Sequence, residues 1–220
     1  LKLFQLPKMI TTLFVEANEI SNAVKLLNTF KSFFPDRIES FELMPKSFWE
    51  VAKNNIDNIV MPLEKMPEMG VLIDVSSFSN NEITPNQNGE VQIIKSIENV
   101  LEECFENNLI SDATICANEN QKKALWSIRE AAAESEKKEL ENSNLIKCLK
   151  HDISLPVESI DNFHKDAQIL ISNFLPAESP PQSQTLLSVN QRQLPALISL
   201  SQQTGRQAGP PMPEEDYQQL

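Results

Sequence analysis

Glycine is nearly missing from this chain, with four residues in 220, and only Gly70 and Gly89 stand outside the Pro- and Gln-rich C-terminal stretch. Close backbone approach to a flavin or nucleotide phosphate needs positions without a side chain. Neither glycine lies in a phosphate-loop pattern, which argues against a nucleotide site built by this chain alone. Histidine is scarcer still: His151 and His164 are the only two, without the clustered ligand spacing of a metal site. The three cysteines, Cys104, Cys116 and Cys148, form no C-x-x-C pair. They read as reduced thiols in a cytosol-like compartment, not as a disulfide framework or a zinc site. Basic charge is also short, 19 Lys and Arg against 31 Asp and Glu for a net charge of −12. That is the wrong sign for a nucleic-acid surface or an anionic membrane. No apolar run approaches the roughly 20 residues a bilayer span needs, and no secretory pattern opens the chain. Because the chain opens on Leu1 and not on methionine, an upstream portion is expected. The expected location is cytoplasmic, or an organellar matrix if a targeting segment precedes Leu1.

What is present is an alternation of short strands and helices. Residues 10–16 are β-branched and aromatic enough for a strand. Asn18 is placed to cap a helix in which Ile20, Ala23, Val24, Leu27 and Phe30 recur at helical spacing up to Pro35. A second strand fits 38–44, and Pro45 opens a short helix through Trp49 and Val51. Residues 57–69 read as a loop, 71–75 as a third strand, and 76–89 as a polar surface insertion. Ile93, Ile94, Ile97, Val100, Leu101, Cys104 and Phe105 make one apolar helical stripe. A fourth strand covers 112–117, and Asn118 caps the helix carrying Trp126 and Arg129. Beyond Asn173, seven of the 14 prolines and nine glutamines crowd into residues 176–220. A segment of that composition cannot bury enough apolar surface to offset its ordering entropy, so 173–220 is expected to be mostly disordered.

Near the middle, Lys147-Cys148-Leu149-Lys150-His151-Asp152-Ile153-Ser154-Leu155-Pro156 puts ionisable groups at the mouth of a strand. Ile153 and Leu155 alternate with Asp152 and Ser154, and Pro156 ends the ladder because it has no N–H to give. This stretch resembles the K-[YH]-D-[VI]-S-[VL]-P segment of the C-terminal domain of FAD-linked 2-hydroxy-acid dehydrogenases. That family includes D-lactate dehydrogenases, the glycolate oxidase flavin subunit and D-2-hydroxyglutarate dehydrogenase. The likeness extends upstream. Residues 1–8 resemble the exit from the flavin domain, Ser40-Phe41-Glu42-Leu43-Met44 the S-x-F-E-x-M segment, and Leu125-Trp126-Ser127-Ile128-Arg129-Glu130 the L-W-x-[IL]-R-E helix. It covers roughly residues 1–172. Element order alone fits either a doubly wound parallel sheet or an α+β sandwich. The resemblance implies the second, a ferredoxin-like antiparallel sheet with helices packed on one face over residues 9–172.

The resemblance also implies a site. In the family, the arginine of the helix motif and the lysine of the strand motif bind the carboxylate of a hydroxy acid beside the flavin, and the matching residues here are Arg129 and Lys150. A guanidinium takes a carboxylate through two parallel N–H donors and an ammonium adds a second charge. By composition alone Arg129 next to Glu130 reads as part of a solvated ion-pair surface, and the motif matches turn the reading to the ligand role. Some members carry a threonine one turn after the arginine. That position is Ala133, so a second carboxylate on the substrate loses a hydroxyl partner. The family's FAD is held mainly by an N-terminal domain that this chain lacks. Its divalent-metal histidines have no counterpart here, since no histidine follows His164. His164 itself is expected on the exposed side of the last helix, and 134–144 as a solvated helix extension.

The implied function is the substrate domain of an FAD-dependent oxidoreductase acting on a small D-2-hydroxy acid of the lactate, glycolate or 2-hydroxyglutarate class. Lacking a flavin domain and the metal and base histidines, the chain is expected to be inactive alone. The implied partners are a flavin-binding domain or subunit and the hydroxy acid, with a homodimer open. The rival is a non-catalytic assembly module, or a degenerate remnant, that packs on a separate flavin subunit.

Overall fold

The computed structural model describes residues 5–142, 147–174, 183–189 and 196–204, with backbone alone at 140, 147–152 and from 171 onward. In chain order the elements are β1 (Met9–Ala17), α1 (Ile20–Phe33), β2 (Ile38–Pro45), α2 (Lys46–Asn55), β3 (Met69–Ser77), α3 (Asn80–Ile83), α4 (Gln92–Glu106) and β4 (Ile110–Ile115). Then follow α5 (Glu119–Glu130), α6 (Ala132–Asn142), β5 (Lys147–Leu155), α7 (Ile160–Phe174), β6 (Ser183–Val189) and β7 (Ala196–Thr204). The first four strands pair antiparallel in the order β4-β1-β3-β2. With α1 joining β1 to β2 and α4 joining β3 to β4, this is the ferredoxin-like α+β arrangement.

Strand periodicity sorts the side chains into two layers. Leu13 and Val15 of β1, Ile73 and Val75 of β3, and Phe41 and Leu43 of β2 face the larger cluster, closed by α1 and α4. Both helices earn their place by spacing: Ala23, Leu27 and Phe30 on α1, and Ile93, Ile97 and Val100 on α4, are each buried at three- and four-residue intervals. Val157, in the short 3-10 turn before α7, and Ile160, at its start, join the same layer, as do Ile153 and Leu155 of β5. The intervening residues Phe14, Leu72 and Met44 face the opposite side. There Phe48, Trp49 and Ala52 of α2 and Leu125 and Ile128 of α5 make a second, smaller cluster. Trp49 sits edge-on to both Phe14 and Phe48, at 5.3 Å between ring centroids, and its indole N–H donates to the Met44 carbonyl at 3.2 Å. The sheet therefore carries helices on one face, as expected, and a second helical layer on the other.

Several local expectations need correcting. The N-cap of α1 is Glu19, without a side-chain cap bond, because the chain stays extended one residue past Asn18. The third strand runs on through Ser76 and Ser77, both fully buried, where a surface loop was expected. The two serines pair with Ile10 and Met9 of β1, and Arg37 reinforces the extension. Its Nε donates to the Ser76 carbonyl at 2.8 Å, and its two terminal nitrogens hold Glu82 of α3 at 3.1 and 2.9 Å, which ties the polar insertion to the sheet. Helix α6 is not a solvated extension of α5. The chain breaks at Ala131 and α6 packs on α2, with Ser135 and Glu136 buried and Asn55 donating to Glu139 at 2.7 Å.

Within the stretch expected to be disordered, β6 pairs with β2 and with β7, and β7 with β5, all antiparallel. The short apolar runs at Leu186-Leu187 and Leu197-Ile198 lie in these strands. Residues 205–220, and Leu1 to Phe4 of the expected linker, lie outside the described residues.

Candidate functional site

Helix α5 is aimed by its ends and its apolar face. Asn118 caps it, its side-chain oxygen accepting from the backbone N–H of Asn120 and Gln121 at 3.1 and 3.0 Å. Leu125 and Ile128 then pin it to the smaller cluster. With those two residues facing the sheet, Lys122, Trp126 and Arg129 form a half-buried stripe at i, i+4 and i+7.

Beneath the stripe lie the polar positions of the same sheet face. Thr12, Asp74 and Ser40 are cross-strand neighbours, and Glu42 stands opposite Leu72 one pleat away. Arg129 Nε donates to Glu42 Oε2 at 2.8 Å. The Glu42 side chain is 9% exposed and that of Arg129 25%. A carboxylate so buried requires a charged partner, since leaving it alone costs several kcal/mol. Thr12 Oγ1 donates to Asp74 Oδ1 at 2.5 Å. Burial pushes the Asp74 carboxyl above its ordinary range, while the Thr12 hydroxyl, the Lys122 charge and the Trp126 indole act the other way. The Cys116 thiol beside it is pushed up too, by burial first and then by the Asp74 charge. A thiol raised in this way is not a nucleophile at neutral pH.

Of the two residues expected at the site, Arg129 takes part in this layer. Lys150 stands on β5 opposite Ser201, with β6 and β7 between its strand and β2. Three strand spacings put the β5 backbone about 14 Å from β2. The side chains of Lys150, His151 and Cys148 lie outside what is described. Ala133 is exposed. His164 corrects the expectation of an exposed position. It is half-buried and lines a cleft of about 230 Å³ with Gln168 of α7, Lys46 and Ser47 of α2, and Glu68. Burial lowers its pKa below the ordinary 6.5.

Sequence reasoning passed over Glu42, Asp74 and Thr12. The signal was an ionisable residue inside an otherwise apolar strand, Glu42 between Phe41 and Leu43 and Asp74 between Ile73 and Val75.

Whether these residues fit a flavin or a metal can be tested on the glycines and the ligating groups. A Cβ on Gly70 would lie 2.9 Å from Trp49 Nε1 and closer still to Phe14 Cζ, so Gly70 is spent on core packing. Gly89, at φ +81°, makes a turn with open space beside it. Neither is presented to a phosphate, and the residues described do not fit a flavin cradle. Among the described residues no three His, Cys, Asp or Glu side chains gather as metal ligands. Nor is any described helix long and apolar enough to cross a membrane.

Comparison with known proteins agrees with this architecture. D-2-hydroxyglutarate dehydrogenase, mitochondrial, from Arabidopsis thaliana is 26% identical over 153 residues, covering 70% of this chain and 24% of that protein. The protein of the same name from Rattus norvegicus is 22% identical over 154 residues, covering 70% and 25%. The chain thus spans about a quarter of the length of the curated relatives it matches. Two crystal forms of alkyldihydroxyacetonephosphate synthase superpose with TM-scores of 0.51 and 0.54 at 10% and 9% identity, covering 91% and 92% of this chain and 37% of each structure, which is a likeness of fold. Residues 6–176 match the family described as FAD linked oxidases, C-terminal domain, and with most of the chain inside that match, the chain belongs to this family.

Proposed function

We propose that this chain is the substrate domain of an FAD-dependent oxidoreductase acting on a small D-2-hydroxy acid, and that its own part is to fix the carboxylate through Arg129 and Lys150. The hydride chemistry belongs to the flavin, carried by a separate domain against which this one packs. The observation that supports the reading is the state of Arg129. Its guanidinium is held at Nε, and within the described residues its two terminal NH2 groups make no hydrogen bond. That is the edge a carboxylate engages with two parallel bonds. Ala133 gives no hydroxyl to a second carboxylate, which favours the monocarboxylates of the lactate and glycolate class. A cytoplasmic or matrix location suits such an enzyme.

Titration of the full chain with D-lactate by NMR tests this. Arg129→Gln is expected to weaken binding about tenfold or more, the scale of a lost hydrogen bond to a charged group. Lys150→Ala should weaken it more than Lys147→Ala, because residues at odd separation in a strand point to opposite faces. Equal loss from the two lysine substitutions would reduce the site to diffuse surface charge.

A second reading, an assembly module packing on a separate flavin subunit or on its own copy, draws support from Ile169 and Leu170 on α7, 60% and 58% exposed. Both readings expect the purified chain to be colourless. They part over D-lactate, which a pure assembly module does not bind.

A further inference from the structure

We infer that Glu42 is the positioning residue for Arg129, fixing the guanidinium by its neck so that its terminal nitrogens are presented to the ligand carboxylate. The inference deepens the carboxylate-binding role proposed above and rests on it.

Three observations carry it. The first is the point of contact. A carboxylate serving only as counter-ion pairs best with a guanidinium through parallel bonds to two nitrogens, yet Arg129 donates to Glu42 from Nε, at 2.8 Å. The terminal NH2 groups make none within the described residues. The second is rigidity. Glu42 sits in mid-strand, with β3 laddered on one side of β2 and β6 on the other, and its side chain is only 9% exposed. Arg129 comes from a helix anchored by Leu125 and Ile128. Both ends of the contact are thus set by the scaffold, which is what a preorganised site requires. The third is the gradient of exposure, from the buried carboxylate to a guanidinium 25% exposed. Arg129 is the more exposed member of the pair.

Field and orientation pull in opposite directions here. The negative charge of Glu42 weakens the attraction of Arg129 for a second carboxylate, whereas its hydrogen bond removes rotational freedom that a ligand would otherwise have to freeze. Two substitutions separate these effects. Glu42→Gln and Glu42→Ala delete the same charge, but glutamine keeps an oxygen that can accept from Nε and alanine does not. If orientation dominates, the two must differ.

The test is a D-lactate titration of the full chain, followed through its backbone amides and the Arg129 side-chain nitrogens. Glu42→Gln is expected to bind D-lactate within about threefold of wild type, and Glu42→Ala about tenfold more weakly. In the wild type, D-lactate should shift the terminal Nη signals and leave Nε nearly unmoved. Equal affinities for the two variants would overturn the inference, as would a shift concentrated at Nε, which would mean that the ligand displaces Glu42. Should Glu42→Ala fail to fold, the Nε and Nη signals of the wild type decide alone. The carboxylate reading fails separately, and takes the inference with it, if Arg129→Gln leaves D-lactate binding unchanged. If Arg129→Gln abolishes binding while the two Glu42 variants agree, only the positioning role is lost.

Discussion

Replacing Gly70 with alanine adds one methyl group at the place where β3 passes under the smaller cluster. The new Cβ would stand 2.9 Å from Trp49 Nε1 and 3.1 Å from Phe14 Cε2, with Phe14 Cζ nearer still. Carbon atoms pack without strain at about 3.5–4.0 Å, so the phenyl ring has to move. It has nowhere to go. Phe14 and Trp49 are both fully buried, they meet edge-on, and Trp49 is tethered to the Met44 carbonyl. Overpacking of this kind costs about 1–3 kcal/mol, and a site with two immovable neighbours belongs at the upper end. The lower backbone entropy of alanine in the unfolded chain returns about 0.4–1 kcal/mol. The net loss is therefore about 2 kcal/mol. With a urea dependence of about 2 kcal/mol per molar, the unfolding midpoint should fall by about 1 M at unchanged slope.

Tryptophan fluorescence in a urea series reads that shift directly, since Trp49 is one of the two aromatic rings in contact with the perturbation. A second-site change tests the cause. Phe14→Leu removes the ring edge that the new methyl meets, so Gly70→Ala should cost at least 1 kcal/mol less in the Phe14→Leu background than in the wild type, a coupling of ordinary size for residues in contact. A midpoint shift under about 0.3 M for Gly70→Ala, or strict additivity with Phe14→Leu, would refute the packing argument. Gly70 would then have to be explained by something other than the core.

Arg37→Ala should cost about 1–2 kcal/mol and open the 78–90 insertion, because it removes a paired guanidinium that is only 22% exposed; cleavage at Glu82 by a Glu-specific protease no faster than in the wild type would contradict this. Asp74 has its pKa raised above 3.8, so the folded chain keeps a proton that the unfolded chain has released. Its stabilising contribution is full below 3.8 and is lost as pH rises through the folded-state value. Asp74→Asn, measured in urea against wild type, should therefore gain relative stability between pH 4 and pH 7, and a pH-independent difference would count against it. The Cys104 thiol, fully buried and pushed up to about 11, should resist iodoacetamide at pH 8 until urea unfolds the chain.

The strands and helices of the larger layer were legible because periodicity is a local signal. Ala23, Leu27 and Phe30 announce α1, and Ile93, Ile97 and Val100 announce α4, whatever lies across from them. Ser76 and Ser77 were not legible. What keeps them in a strand is pairing with Ile10 and Met9 of β1, reinforced by an arginine 39 residues upstream along the chain that bonds the Ser76 carbonyl, and no local window of sequence contains these partners. The same holds for α6, whose Glu- and Lys-rich sequence reads as solvated until α2 is placed against it. Arg129 could be picked out from its motif, but its partner could not, because Glu42 lies 87 residues away. His164 shows the limit of helical periodicity near an element's end. Its face of α7 is decided by the cleft that α2 and the loop at Glu68 build beside it.

The two faces of the sheet divide the work, and the division follows from the strand period. Odd positions of β1 and β3 carry Leu13, Val15, Ile73 and Val75 into a layer that α1 and α4 seal. No ionisable residue of β1 or β3 points there. Even positions carry Thr12 and Asp74 alongside Phe14 and Leu72, so the second layer mixes polar with apolar groups. Each buried ionisable group costs desolvation that the odd positions of β1 and β3 avoid, and the cost is met by paired contacts, Glu42 with Arg129 and Asp74 with Thr12. A chain selected for stability alone would fill those positions as it filled the others, because well-packed apolar residues usually match or exceed a buried ion pair in stability. On the carboxylate-binding role proposed above, the polar groups kept beneath the helix that carries Arg129 serve the ligand and not the fold. Substitutions on the odd positions should change folding alone, whereas Arg129→Lys, which keeps a cation beside Glu42 but loses the planar two-nitrogen edge, should weaken D-lactate binding before it changes stability.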